Sequence, residues 1–169
     1  KLVDPRTRCR EEGLDQWEAL WIDLFPVDGL PTSTFIAWLH ASCIKGLQYA
    51  FVAKSSSVGS AKGLKRRLTK GAVKAAFMLV PLRSIGRAIE RLASSRDFEK
   101  SSEVAALTWS FVGYESRVSR AGYDHRISLP FEGRAIPAPS EWHRLLSGAY
   151  GDYMQVPPEA ERESHGLQA

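Results

Sequence analysis

The sequence predicts an α+β fold, a small sheet flanked by several helices, on three observations. Residues 33–92 carry apolar side chains at helical spacing. Residues 126–139 alternate around a Glu-Gly pair as the arms of a hairpin do. WIDLF at 21–25 is a short apolar run closed by turn chemistry. With 169 residues, 44% hydrophobic and 25% charged, the chain is long enough for one domain with a real core. No apolar run approaches the ~20 residues of a membrane span.

The first residues, KLVDPRTRCR, carry no initiator Met and no signal-peptide pattern, so the natural start is expected upstream. Residues 14–31 open with helix-like spacing. Trp21, Ile22, Leu24 and Phe25 then form an expected buried strand interrupted by Asp23. Pro26, Asp28 and Gly29 supply a turn: Pro presets its backbone angle, Asp bonds its own backbone and Gly permits positive φ. From Ser33 a helix is expected, capped by Ser33 or Thr34, with Phe35, Leu39, Cys43, Leu47 and Phe51 at four-residue intervals facing a core or a membrane.

SSSVGSAKG after it is polar and is expected to be a mobile loop or an exposed helix connection. Residues 64–80 are expected to be helical with Val73, Phe77 and Val80 on one face. Pro81 breaks the pattern, and Leu82, Ile85, Ile89 and Leu92 resume it. Arg83, Arg87 and Arg91 stand four apart on a neighbouring face, as a solvated flank or as a phosphate or headgroup contact.

EVAALTWSFVGY is strand-like. The hairpin follows, with Glu132 and Gly133 at its tip and Pro130, Pro137 and Pro139 marking an edge position. Ser140 caps a short helix with Trp142, Leu145, Leu146 and Tyr150 inward. The tail VPPEAERESHG is extended. One domain, 1–169, is expected, in three parts: strand and turn at 1–31, basic helices at 32–100, and hairpin, short helix and tail at 101–169.

Charge is unevenly spread. Residues 1–31 hold 4 basic and 7 acidic groups, residues 45–100 hold 13 and 3, and residues 141–169 hold 2 and 5. The middle block suits phosphates, nucleotides, anionic headgroups or an anionic polymer, or is a solvated surface. It lacks interleaved aromatics and a recognition module, so no nucleic acid is expected as partner. Cys9 and Cys43 form no ligand pair, which argues against structural zinc and suits a reducing, cytoplasmic setting. The chain contains no Asn and therefore no N-glycosylation site. No GxSxG, Walker loop or HExxH occurs, and His40, His125 and His143 lack metal spacing and are expected to be structural.

Two segments are more specific. WIDLFPVDGLP at 21–31, then FEGRAIPAP at 131–139 leading into YGDYMQVPPEAERESHG at 150–166, resemble in order and rough spacing the motifs of the LicD family. That family carries aliphatic-Asp-aliphatic-Phe-Pro-aliphatic-Asp-Gly, an FEG hairpin, LYGDYM, a proline run and KR-SHH. Arg162 stands for the basic residue before SHH, Glu163 intervenes, and Gly166 replaces the second His.

The resemblance implies a nucleotidyltransferase-like mixed α/β domain that transfers phosphocholine, or a similar phospho-alcohol, from a CDP-linked donor such as CDP-choline to a cell-surface glycan, teichoic acid or lipopolysaccharide. It implies Mg²⁺ or Mn²⁺ and an upstream Asp-rich element that does not occur in this sequence, so the chain alone is expected to be inactive and its fold incomplete at the N-terminus. Phosphoryl transfer needs carboxylates converging on a metal that neutralises the pyrophosphate. Asp23 is the candidate catalytic and metal-ligating acid; it can instead cap a turn or pair with an arginine.

Tyr150, Asp152 and Tyr153 around Gly151 are candidates to stack a base or cage a quaternary ammonium, or are simply helix-end core. His165 and Arg162 are candidate phosphate contacts, and Pro26, Asp28, Gly29, Glu132, Gly133 and Gly151 shape the motifs. A cytoplasmic location follows, with peripheral contact at the inner membrane leaflet. The alternative is a non-catalytic module that binds a membrane or partner through the stripes at 35–51 and 82–92.

Overall fold

A computed structural model describes residues 2–11, 18–22, 24–57, 63–108, 113–156, 158 and 167–168. It is an α+β protein of small antiparallel sheets and several helices, as expected. The chain divides into two compact units, one formed by Lys1–Phe25 with Asp152–Ala169 and the other by Pro26–Gly151.

In the smaller unit β1 (Leu2–Glu11) pairs antiparallel with β2 (Glu18–Ile22), Leu2 opposite Ile22 and Cys9 opposite Glu18, with a break in register between. Leu167 and Gln168, numbered β8 at the chain's end, add a third strand against Glu11 and Arg10. The expected strand at 21–25 is corrected. It ends at Ile22, at the outer position of the order β2-β1-β8, and Ile22, Leu24 and Phe25 are exposed rather than buried. The helix-like spacing at 14–17 and most of the tail at 157–166 lie outside the described residues.

In the larger unit β3 (Asp28–Gly29), β4 (Glu103–Ala105) and β5 (Val118–Ser119) form one sheet. Asp28 and Gly29 are therefore strand, not turn. Gly29 does not adopt positive φ; it is needed because a Cβ there would collide with the Ser101 hydroxyl and the Asp97 carbonyl. Residues 30–33 lead into α1 (Thr34–Ser55). Ser33 holds the cap position without a side-chain cap bond, its carbonyl accepting from the Ala37 N–H at 2.8 Å.

The core joins Leu30, Ala37, Ala41 and Ile44 to Ala93, Ala105 and Leu107, with Ile89, Leu92 and Tyr114 packed against it. Of the two facings expected for the α1 stripe, core or membrane, the core is corrected: Phe35, Leu39, Cys43 and Phe51 are exposed, and Ala37, Ala41 and Ile44 face the core. Five residues at four-residue spacing drift by about 160° around a helix, since each step of four overshoots a full turn by about 40°. Ala37, Ala41 and Ile44 stay within about 60°, and small side chains let the sheet approach.

Helix α2 (Leu64–Ala76) ends at Phe77, and Pro81 starts α3 (Leu82–Ala93), its carbonyl receiving the Ser84 and Ile85 N–H groups at 2.9 and 3.3 Å. Ile85 is buried as expected. Of the strand expected across 103–114, Glu103–Ala105 is strand among the described residues, and 109–112 lie outside them. The Leu107 N–H turns back to the Ala105 carbonyl at 3.0 Å, taking the chain out of the ladder before a 3-10 turn at Gly113–Ser116.

A short α4 (Arg120–Asp124) precedes the hairpin β6 (Arg126–Phe131) and β7 (Arg134–Pro139), whose register puts Phe131 opposite Arg134. Glu132 and Gly133 have φ of 47° and 73°, the two positive values of the primed turn expected there. In α5 (Trp142–Tyr150) the cap position is Glu141, not Ser140, whose hydroxyl donates to the Gly122 carbonyl at 3.0 Å instead. The Ser119 hydroxyl donates to Glu141, holding its carboxyl below the usual range, and Arg144 joins Glu141 to Glu103.

Candidate functional site

In the smaller unit, the strand β2 leads directly to position 23. Asp23 itself lies outside the described residues, as do Arg162 and His165. Asp152 is exposed and Tyr153 half-buried in a turn where the Gln155 N–H reaches the Asp152 carbonyl at 3.1 Å. Tyr150 ends α5 in the larger unit and is 59% exposed, not inward as expected. Gly151 stops that helix at φ 68°, its N–H on the Ser147 carbonyl at 2.9 Å, a left-handed conformation that favours glycine.

In the larger unit the structure brings together a group that sequence reasoning did not assemble. Asp28 on β3 and His40 in the second turn of α1 feel each other's charge, and Arg96 acts on His40 from beyond α3. Burial pushes the Asp28 carboxyl above its ordinary range, more strongly than the attraction of His40 lowers it. Burial likewise pushes the His40 imidazole down, Arg96 adds to this, and Asp28 opposes it. Both shifts favour the uncharged forms.

Asp28 Oδ2 and His40 Nε2 are each buried with no hydrogen-bond partner. The expected backbone bond of a turn-shaping Asp28 is not made by this oxygen. The two groups do not bond each other; each orphaned atom can receive a polar group of a ligand. His40, expected to be structural, and Arg96 were missed because the pairing depends on β3 lying beside α1. The short link at 30–33 is the one local signal for it.

Of the basic block, three lysines serve the fold. Lys54 Nζ donates to the Phe77 and Met78 carbonyls at 2.7 and 2.8 Å, Lys70 to Ser57 at 2.7 Å and Lys74 to Ser56 at 3.4 Å. Arg83, Arg87 and Arg91 are exposed along α3. Between α1 and α2 a cavity of about 440 Å³ is lined by Tyr49, Val52, Lys65, Arg66, Thr69 and Lys70 among others. Among the described residues no three His, Cys, Asp or Glu side chains converge as metal ligands, so the described residues do not by themselves fit a metal. No described helix is long and apolar enough to cross a membrane.

The α+β chain is related by sequence to a transferase. A stretch of 54 residues, 32% of this chain, is 35% identical to lipopolysaccharide cholinephosphotransferase LicD of Haemophilus influenzae, of which it spans 20%. This partial similarity supports a relation to the LicD family. No family model matches the chain, and no solved structure matches it.

Proposed function

We propose that the chain is part of a phosphotransferase that moves phosphocholine, or a similar phospho-alcohol, from a CDP-linked donor to a hydroxyl of a cell-surface glycan. The carrying observation is the 54-residue similarity to LicD, reinforced by the order of WIDLFPVDG, FEG and YGDYM along the chain. The acceptor oxygen attacks the choline-bearing phosphorus, the bridging P–O bond breaks, CMP departs, and the hydroxyl proton passes to a base.

Within the reading, Asp23 serves as catalytic acid group and ligand of Mg²⁺ or Mn²⁺, Tyr150, Asp152 and Tyr153 as substrate contacts, and Arg162 and His165 as phosphate contacts. The metal and these roles rest on the resemblance. A nucleotidyltransferase-like core formed by one domain, and action on teichoic acid or lipopolysaccharide from the cytoplasmic side, belong to the same proposal. Its test is release of CMP from CDP-choline by the intact gene product with Mg²⁺ and either glycan. Release that depends on metal and acceptor supports the reading; a folded product that releases none with any CDP-alcohol favours the non-catalytic module.

A further inference from the structure

Helix α2 half-buries Val73 of its expected apolar face and turns its leucines outward. The side it presents to the protein carries Lys70, 8% exposed, with Gly71, Val73 and Lys74 half-buried. Leu64, Leu68, Ala72 and Ala75, which fall on one stripe at helical spacing, are all exposed, the two leucines at 73% and 65%. The turn that follows extends the apolar surface, with Met78 at 69% and Leu79 at 89%. Lys54 grips the carbonyls of Phe77 and Met78, so the tip is held in place while its side chains project.

The stretch of chain that carries this face has charge of one sign: residues 29–89 contain ten Lys and Arg and no Asp or Glu. Lys65, Arg66 and Arg83 are exposed on α2 and at the start of α3. By contrast the stripe of α3, one of the two stripes expected to have such a role, is closed off by Ile85 in the interior.

We propose that the outward face of α2 and the Met78–Leu79 tip dock on an anionic lipid bilayer. An aliphatic stripe in a cationic stretch of chain matches such an interface: the leucines and methionine enter the acyl boundary while Lys65, beside the stripe, and Arg83 meet phosphate headgroups. Charge complementarity selects this occupant. A protein partner or a second copy would have to supply an acidic apolar surface, whereas an anionic bilayer supplies both properties at once. The helix lies in the interface plane, since no described helix can cross a membrane. The inference does not depend on the transferase reading, because it needs neither donor nor acceptor.

The test is co-sedimentation of the chain with vesicles of phosphatidylcholine containing about a third phosphatidylglycerol, beside pure phosphatidylcholine vesicles. Binding to the mixed vesicles is expected to be about ten-fold or more tighter than to the neutral ones and to weaken with salt. The double variant Leu68→Glu/Leu79→Glu, at positions that touch little in the fold, should lose about ten-fold or more in binding while its thermal melt is unchanged. Lys65→Gln/Arg83→Gln provides a second variant that removes charge alone and should weaken binding to the mixed vesicles only. Equal binding to both vesicles, wild-type binding by either variant, or no binding at all overturns the proposal. So does competition by free glycerol phosphate at millimolar concentration, which would make the cations a site for soluble phosphate. A dimer in solution that Leu68→Glu/Leu79→Glu converts to monomer would assign the face to a second copy instead.

Discussion

Helices α2 and α3 are neighbours across Pro81, and both are amphipathic, yet they use that property in opposite ways. α3 buries Ile85 and Ala93 and turns Arg83, Arg87 and Arg91 to solvent; α2 buries the stem of Lys70 and turns Leu64 and Leu68 outward. The lesson is that an apolar stripe states that something must cover it, not what does. In α3 the cover is the sheet and α1. In α2 the inner side is fixed by lysines reaching the carbonyls of Ser56 and Ser57 at the end of α1, which leaves the leucines outside.

The contrast can be broken by substitution. Ile85→Ala removes a side chain 2% exposed and should cost about 2–5 kcal/mol in urea unfolding. Gly29→Ala forces a methyl against Ser101 and Asp97 and should cost about 1–3 kcal/mol in the same measurement. Leu68→Ala, chemically as drastic as Ile85→Ala, should stay within about 0.5 kcal/mol, because the side chain has little to lose on the folded chain. If Leu68→Ala proved as costly as Ile85→Ala, α2 would be packed the other way and the outward face would not exist.

A smaller effect sharpens the account of the Asp28 and His40 pair. The His40 imidazole is depressed in the folded chain, so the folded state takes up its proton less readily than the unfolded one. Its contribution is present above the ordinary imidazole value of about 6.5 and is lost as pH falls below it. Asp28, raised by burial, acts in the opposite sense at lower pH, where protonation relieves the folded state. Thermal melts from pH 7 to pH 5.5 should therefore fall for the wild type and fall less for His40→Gln. An equal fall in both would place the pH dependence elsewhere.

The parts legible in the sequence are those with local causes. The β6–β7 turn is specified by Glu132-Gly133 between alternating arms, and the start of α3 by the fixed φ of Pro81. The facing of α1 was not legible, because large apolar residues surround it and the core is made by Ala37, Ala41 and Ile44. Asp28 stands out as an acid beside glycine, but its strand state, its charge interaction with His40 and that of His40 with Arg96 follow from tertiary packing. At the catalytic expectation the motif carries the reading: β2 runs up to position 23, and Asp23, Arg162 and His165 lie outside the described residues.

The most direct test of the transferase reading compares Asp23→Asn with the wild type in the intact gene product, following CMP release from CDP-choline with saturating Mg²⁺ and matched far-UV circular dichroism. A carboxylate that holds the metal predicts a loss of turnover on the order of a hundred-fold or more with folding unchanged. Wild-type turnover by Asp23→Asn would remove Asp23 from the site and contradict the account.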